Sequence, residues 1–199
     1  MRKMAMVLIL ALLASCAGST ENIDMNNDQA DAVMALDHRD FTKAADTMIQ
    51  SLMTSPVVNN KEGKPYVVAI SNILNDTMQR IDTDQLIRKV RRDMLNSGKF
   101  TITTAVSGKG EEDKMNTQVR ELRKDAEFNQ ATVQEQGQLI APDLSLNGKI
   151  FQRNIRLDNG DQQVEYYFSL TLTELRTGLS KWEDEVMMGK RGDGKSVTW

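Results

Sequence analysis

The 199-residue chain has very few of the residues that build covalent or metal-bound sites. It contains one Cys, one His and three Pro, and aromatic residues make up 5% of it. A single Cys excludes an internal disulfide framework and any metal site built from several cysteines. A single His argues against a His-built zinc centre, because such centres usually need two or three imidazoles. We therefore expect no metal and no cofactor.

The chain also lacks an excess of positive charge. Its 25 basic and 28 acidic residues give a formal net charge of −3. Bulk affinity for nucleic acid needs a basic surface, so nucleic acid is not expected as a partner. The length fits a single domain, and the sequence shows no internal repeat.

A long apolar run is missing at the N-terminus, where a short one stands instead. Arg2 and Lys3 precede 11 apolar residues at positions 4–14. A membrane-spanning helix needs about 20 such residues. A positive start followed by a short apolar core is typical of a secretory signal peptide.

The apolar run ends in Leu13, Ala14, Ser15 and Cys16, which resembles the bacterial lipobox. A small residue before Cys suits peptidase cleavage, and the thiol suits acylation because it is the best side-chain nucleophile near neutral pH. We therefore predict a signal peptide over residues 1–15 and lipidation of Cys16. The alternative is a buried thiol beside an ordinary signal peptide. The resemblance implies a triacylated anchor, and the lack of Asp directly after Cys16 favours the outer membrane, on its periplasmic side.

The residues after the predicted anchor are polar. We interpret residues 16–36 as the lipidated Cys and a flexible tether. A flexible chain of about 20 residues has an r.m.s. reach of about 25 Å, and a fully extended one reaches no more than about 70 Å. A single globular domain is expected over residues 37–199.

Apolar residues at helical spacing predict three helices. The first has Asp40 as its candidate N-cap, and the second is capped at Thr83 or Asp84 and ended by Gly98. The third is predicted over residues 111–133. Their apolar stripes comprise Phe41, Ala44, Ala45, Met48, Ile49 and Leu52, then Leu86, Ile87, Val90, Met94 and Leu95, then Met115, Val119, Leu122 and Ala126.

Continuous apolar or alternating segments predict strands. They lie at residues 66–70, 100–103, 144–157, 164–172 and around 182–188. Residues 72–82 are polar and are expected to form a turn. Residues 158–161 indicate a hairpin, because Asn-Gly tolerates the positive φ that tight hairpins require. The order α-β-α-β-α-β-β-β predicts one α/β (α+β) domain, with a mixed sheet of about five strands and helices packed on it.

Residues 189–196 match the pattern G-x-x-x-x-G-K-[ST] of a phosphate-binding loop. Such a loop works at the start of a helix, and only three residues follow Ser196. We therefore favour a flexible, basic, Gly-rich tail, and keep an enzyme that uses this loop as an alternative that nucleotide titration tests.

His38 and a basic cluster on the second helix are two further candidate functional features. A Ser-His-Asp hydrolase would have to use His38, but the G-x-S-x-G motif is missing, which favours a capping or surface role. Arg88, Lys89, Arg91 and Arg92 form a basic cluster on the second helix. A solvated helix face is the simpler interpretation, and an acidic protein partner is the functional one. No catalytic residue is predicted.

Several segments together resemble the LpoB-type activators of penicillin-binding proteins. Besides the lipobox, they are the strand at 66–70 followed by SNILNDT (71–77), LNSGKFTIT (95–103) and LTELRTGLSKW (172–182). The likeness covers most of residues 37–190. Its most specific points are Gly98-Lys99-Phe100, Thr177-Gly178 and Trp182.

This resemblance implies a fold like the amino-terminal domain of TolB and an outer-membrane lipoprotein that is not an enzyme. It also implies that the protein binds a small non-catalytic domain of a bifunctional class A penicillin-binding protein and stimulates glycan polymerisation and cross-linking. Neither a small-molecule substrate nor a specific interface residue is implied. Well-known members carry a long Pro-rich tether, whereas this chain has no Pro before Pro56. The alternative is a TolB-like or CsgG-like lipoprotein that serves outer-membrane assembly or secretion.

Overall fold

The computed structural model describes Asp24, residues 33–108 and residues 112–193. The helices are α1 (His38–Thr54), α2 (Asp84–Asn96) and α3 (Met115–Glu121). The strands are β1 (Tyr66–Asp76), β2 (Phe100–Ile102), β3 (Leu144–Arg156), β4 (Gln162–Glu174) and β5 (Leu179–Gly192). Short 3-10 turns cover Pro56–Val58, Leu122–Lys124 and Gln130–Thr132. None of the helices in this described part has the length and apolar character of a membrane span.

The strands form one mixed sheet in the order β2-β1-β3-β4-β5. β1 runs parallel to both of its neighbours, β2 and β3. β3, β4 and β5 form an antiparallel meander. The predicted order of elements and the single α+β domain with a five-stranded mixed sheet are therefore confirmed.

The hydrophobic core lies between one face of the sheet and the helices α1 and α2. Every second side chain of β4 is buried, as the alternation in the sequence predicts. The Phe41 ring of α1 packs edge-on against the Phe168 ring of β4, with the ring centroids 5.9 Å apart. Burial of one such large apolar side chain is worth about 1.5–3 kcal/mol. The buried residues of β4 are Val164, Tyr166, Phe168, Leu170 and Leu172.

The hairpin between β3 and β4 is also confirmed. Gly160 has a φ of 90°, which costs a residue without Cβ little. The backbone N–H of Leu157 donates to the carbonyl of Asp161 at 2.9 Å. Because Arg156 then stands opposite Gln162, this turn fixes which residues face each other along both strands.

The starts of two helices differ from the predictions. Asp37, and not Asp40, is the N-cap of α1, since its carboxylate accepts the backbone N–H groups of Arg39 and Asp40. Asp40 accepts the backbone N–H of Asp37 in return at 2.9 Å, which completes a capping box. At α2, Thr83 occupies the N-cap position, but its side chain makes no capping hydrogen bond.

The first strand is longer than predicted. The prediction of a turn over residues 72–82 is wrong for residues 72–76, because β1 continues to Asp76. An irregularity in the pairing with β3 between Ile70 and Ile73 shifts the register. It places Ile73 against the core beside Gly148. A polar stretch can therefore continue the strand.

The predicted third helix is mostly wrong. α3 covers only residues 115–121 of the predicted 111–133, and none of the described residues 112–142 is buried. Met115, at the head of the expected buried stripe, is 54% exposed. Beyond α3 the chain turns back, where the Arg123 guanidinium donates to the carbonyls of Gln134 and Glu135 at 2.6 and 2.8 Å.

Candidate interaction surfaces

Several of the predicted functional residues lie outside the described part of the chain. These are Cys16 with the signal peptide, and residues 194–196 of the G-x-x-x-x-G-K-[ST] pattern. The prediction of a flexible tail is wrong for the first half of that pattern, because β5 extends to Gly192, which pairs with Gln162 of β4. A strand does not present the cluster of free backbone N–H groups with which a phosphate-binding loop begins a helix.

His38 is the first residue of α1, directly after the N-cap Asp37. The capping role therefore belongs to Asp37. Among the described residues no group of three or more His, Cys, Asp or Glu side chains is arranged to hold a metal ion.

The basic cluster of α2 is largely compensated by acids close to it. Lys89 pairs with Asp46 of α1 at 2.6 Å and with Asp93 at 3.0 Å. Its hydrogen bond to Asp46 is the main reason why the pKa of Lys89 is raised. Arg88 pairs with Asp82 at 3.4 Å, and Arg92 approaches Asp93 at 3.7 Å. These pairs leave the cluster a weaker candidate for an acidic partner than the sequence indicates.

Residues 33–36, which the sequence assigns to the end of the tether, lie against the domain. The Tyr166 hydroxyl donates to the carbonyl of Met34 at 3.1 Å, and the backbone N–H of Leu36 donates to Gln79 at 3.2 Å. The Lys190 ammonium donates to the carbonyl of Ala35 at 2.7 Å. We call residues 33–36 the docked segment, and it fixes where the preceding chain reaches the domain.

Charged groups hold the docked segment against α1. Lys190 also pairs with Asp40 at 2.5 Å, and both side chains are nearly buried. Burial alone raises the pKa of Asp37, but hydrogen bonds from Arg39 and from the backbone, with the nearby Lys190, outweigh it and lower this pKa to about 2. Burial and the Asp40 charge raise the pKa of Tyr166 to about 12, so its hydroxyl stays protonated and can donate.

The sheet face opposite the helices carries a row of apolar side chains. Asp76, Phe151, Tyr167 and Met187 stand opposite one another across β1, β3, β4 and β5. The Phe151 and Tyr167 rings stack with centroids 4.5 Å apart, and Met187 is 62% exposed. We call this side of the sheet the open face.

Some charges of the open face are paired within it, whereas Glu183 and Glu185 on the same side of β5 are exposed and form no ion pair with any described residue. Lys149 forms an ion pair with Asp76 at 2.5 Å and lies 5.6 Å from the centre of the Phe151 ring. The Tyr167 hydroxyl donates to Glu165 at 2.8 Å. This hydrogen bond is the main cause that lowers the pKa of Glu165 and raises that of Tyr167.

A second surface is an open groove of about 1380 Å³ at one end of the sheet. One wall is residues 55–66, between α1 and β1, and the other is formed by residues 140–144 and 174–176 with Lys181. Ile140 is 72% exposed there, and Leu175 is 48% exposed. We call it the distal groove, because it lies at the end of β4 that is remote from the docked segment.

Two acids of the distal groove, Glu174 and Asp143, are engaged, whereas Glu62 and two of its cations form no ion pair with any described residue. Glu174 accepts a hydrogen bond from Thr177, which is the main cause that lowers its pKa, and it faces Lys181 at 3.5 Å and Arg176 at 3.7 Å. Asp143 accepts the backbone N–H of Val67 at 2.9 Å. Lys61 and Lys64 are exposed and form no ion pair with any described residue.

Part of these surfaces was readable in the sequence. The Asn-Gly sequence indicates the hairpin of β3 and β4, and the pairing is centred on Asn159, so Phe151 and Tyr167, each eight residues away, stand opposite each other. The docked segment gave no such signal, because its contacts join positions more than 40 residues apart. The distal groove was missed because loops that are distant in the chain form its two walls.

Comparison with known proteins gives one family. The family model of the peptidoglycan-synthase activator LpoB matches residues 40–188. No curated protein sequence matches this chain.

Three solved structures that match this chain have sequence identities of 12 to 15% to it. The LpoB C-terminal domain from Salmonella enterica has a TM-score of 0.43 at 12% identity, with 75% of this chain and 98% of that chain covered. The same domain from Escherichia coli has a TM-score of 0.43 at 14% identity, with the same coverage. The lipoprotein GNA1162 from Neisseria meningitidis has a TM-score of 0.38 at 15% identity, covering 64% of this chain and 84% of that chain.

Proposed function

This chain belongs to the LpoB family of peptidoglycan-synthase activators, and we propose that it stimulates a bifunctional class A penicillin-binding protein by direct contact. The proposal includes an outer-membrane lipid anchor at Cys16 that faces the periplasm. The observation that carries it is the family match over residues 40–188, which includes most of α1 and the whole of α2, α3 and β1 to β4. A family of activators, and not of catalysts, fits a protein without a catalytic role.

Two features of the chain support contact as the mode of action. The described residues present two accessible surfaces with apolar side chains, the open face and the distal groove, and exposed apolar groups bordered by polar ones are typical of interaction sites. Binding can activate a synthase only if the activator has a higher affinity for the synthase's active conformation.

The proposed anchor would act through concentration. A stable membrane anchor needs more than one acyl chain, which a triacylated Cys16 would provide. Tethering confines the domain to a thin layer beside the membrane and so raises its effective concentration for a partner within reach. Seventeen residues separate the anchor from the docked segment, counted from Cys16 to Ala32. They span at most about 60 Å.

The direct test is lipid II polymerisation by each class A penicillin-binding protein of the host, with and without the purified mature lipoprotein in detergent. We expect a clear rate increase with one synthase. No increase with any synthase, for protein whose near-ultraviolet circular dichroism shows a folded domain, would contradict the activator role. Binding to other envelope proteins or self-association would then favour the assembly or secretion alternative.

The anchor is tested separately by Cys16→Ser. We expect the variant to be folded and to leave the membrane fraction, because the acylated thiol is lost. Ser15→Ala is the matched control, since it keeps a small residue before Cys16 and should leave membrane retention unchanged. A Cys16→Ser protein that still sediments with the outer membrane would overturn this part of the proposal.

A further inference from the structure

We propose that the distal groove is the surface that receives the synthase, and that the synthase domain bound there presents acidic side chains around an apolar contact. This inference rests on the proposed function and deepens it by naming the binding surface and the chemistry of the partner. Three independent observations support it: the position of the groove, its charge and its exposed apolar centre.

The position of the groove follows from the docked segment. The chain that precedes residue 33 reaches the domain beside Tyr166 and Lys190. The groove lies beside Glu174 and Lys181, at the opposite end of β4 and β5. Eight residues of β4 separate Tyr166 from Glu174, which is about 26 Å at the rise of a strand. The groove is therefore remote from residue 33, the point at which the described domain begins.

This polarity matters because the reach of the anchor is short. The 17 residues from Cys16 to Ala32 span at most about 60 Å. A binding site that is remote from residue 33 allows the length of the domain to add to the reach of the tether. A site next to the docked segment would gain nothing from that length.

The charge of the groove points to an acidic partner. The whole chain is acidic, with a formal net charge of −3. In the groove, however, Glu174 and Asp143 are engaged by neighbouring groups. Lys61 and Lys64 are exposed without an ion pair to any described residue, and they outnumber the third acid of the lining, the exposed Glu62. The side chain of Arg176 is 81% exposed. Cations left uncompensated at a surface favour a partner of opposite charge and accelerate its association.

The apolar centre gives the contact its affinity. Ile140 and Leu175 are both largely exposed, and the groove lining also includes Pro142 and Leu144. Interfaces typically have an apolar core surrounded by a polar rim. The groove combines the two kinds of group, since its lining contains these apolar side chains together with Lys61 and Lys64.

The open face lacks two of these three properties. It carries apolar side chains, but Lys149 is neutralised by Asp76 and Glu165 is held by Tyr167. Its aromatic row also includes Tyr167, which is adjacent in the chain to the Tyr166 that binds the docked segment. The open face therefore serves as the matched control surface.

The test uses the full mature lipoprotein in detergent and the class A synthase that it stimulates. The charge variant is Lys61→Glu with Lys64→Glu. Its control is Lys43→Glu with Lys124→Glu, two exposed lysines that form no ion pair with any described residue. The apolar variant is Ile140→Asp, and its control is Met187→Asp on the open face. Circular dichroism and thermal unfolding check that each variant is folded.

We expect both groove variants to raise the Kd for the synthase at least tenfold and to lower the stimulation of lipid II polymerisation in parallel. Both control variants should stay within twofold of the wild type. The loss caused by the charge variant should shrink when NaCl rises from 50 to 300 mM, because salt screens exposed charges.

Three outcomes would overturn the inference, and they are distinguishable. Groove variants that bind and stimulate like the wild type, while Met187→Asp fails, would move the site to the open face. Groove variants that lose sedimentation with isolated peptidoglycan sacculi but keep their synthase affinity would make the groove a cell-wall site. A folded wild-type protein that affects no synthase would remove the proposed function itself.

Discussion

Strand β4 and the segment over residues 112–142 show opposite relations between apolar pattern and burial. In β4 the alternation of apolar side chains is matched by burial at every second position. In the segment, apolar residues recur at helical spacing, but none of the described residues is buried. β4 has a strand on each side and helices over one face, so its apolar side has a surface to pack on. A periodic pattern predicts burial only where neighbouring elements supply that surface.

The largest difference between the two regions should appear on removing one phenylalanine from each. Phe168→Ala opens a cavity beneath Phe41 and should lower the free energy of unfolding by about 3–5 kcal/mol. Phe128→Ala, at a position that is nearly half exposed, should change it by less than about 0.5 kcal/mol. Urea unfolding followed by far-ultraviolet circular dichroism measures both. Equal losses would mean that the segment over residues 112–142 is packed after all.

Gly148→Ala tests how tightly the meander is packed. A Cβ at this position would stand 2.3 Å from the carbonyl oxygen of Ser169 and 2.6 Å from a methyl group of Leu170. The backbone must shift to accommodate it, so we expect a loss of about 1–3 kcal/mol. Gly189→Ala on β5 meets nothing within 4 Å and serves as the control. A neutral Gly148→Ala would show that β3 and β4 can separate without cost.

The N-caps of α1 and α3 also differ. Asp37 caps α1 with its carboxylate, so the stability of α1 depends on pH, whereas the N-cap residue of α3 makes no side-chain capping hydrogen bond. The pKa of Asp37 falls to about 2 in the folded state from an ordinary value of 3.8. Its ionised form therefore contributes up to about 2 kcal/mol above pH 4, and that contribution disappears as the pH falls towards 2. Asp37→Asn should lose most of it at pH 7 and show a flatter acid unfolding profile. An unchanged profile between pH 4 and 2 would contradict the role of the carboxylate.

The smallest effect is expected within α3. Val119→Ala should change the free energy of unfolding by no more than about 0.5 kcal/mol, because this side chain is not buried. The same substitution at Val164, which is fully buried, should cost clearly more. Both values come from the same denaturation experiment. A large loss at Val119 would restore the predicted apolar stripe.

Most of the fold was predictable from local patterns, and the reasons are physical. The Asn-Gly signal and the alternation from Val164 to Leu172 indicate the hairpin without any knowledge of the rest, whereas its exact register depends on the loop between Leu157 and Asp161. The helices α1 and α2 follow from apolar stripes that find the sheet as their partner. The extension of β1 to Asp76 was missed because three of its five residues are polar. The pairing with β3, and not the composition, makes them a strand.

The candidate surfaces were less predictable, because they depend on contacts between distant parts of the chain. The basic cluster of α2 looked uncompensated until the structure placed Asp46 of α1 beside Lys89. Conversely, no sequence pattern singles out Lys61 and Lys64. Only the structure shows that they are exposed cations in the lining of a groove. The sequence gives the number of charged side chains, whereas the fold determines how many of them are paired with a neighbouring charge.

The docked segment has a mechanical consequence. A force on the chain before residue 33 is borne first by the hydrogen bonds of Met34, Ala35 and Leu36, which it loads one after another. When they have opened, the load passes to α1 through Asp37 and Asp40. While they hold, these bonds pass the load to β4 and β5 through the side chains of Tyr166 and Lys190 only. A stretched protein can therefore give up several ångströms of slack at its N-terminal end while the sheet, and the groove at its far end, keep their shape.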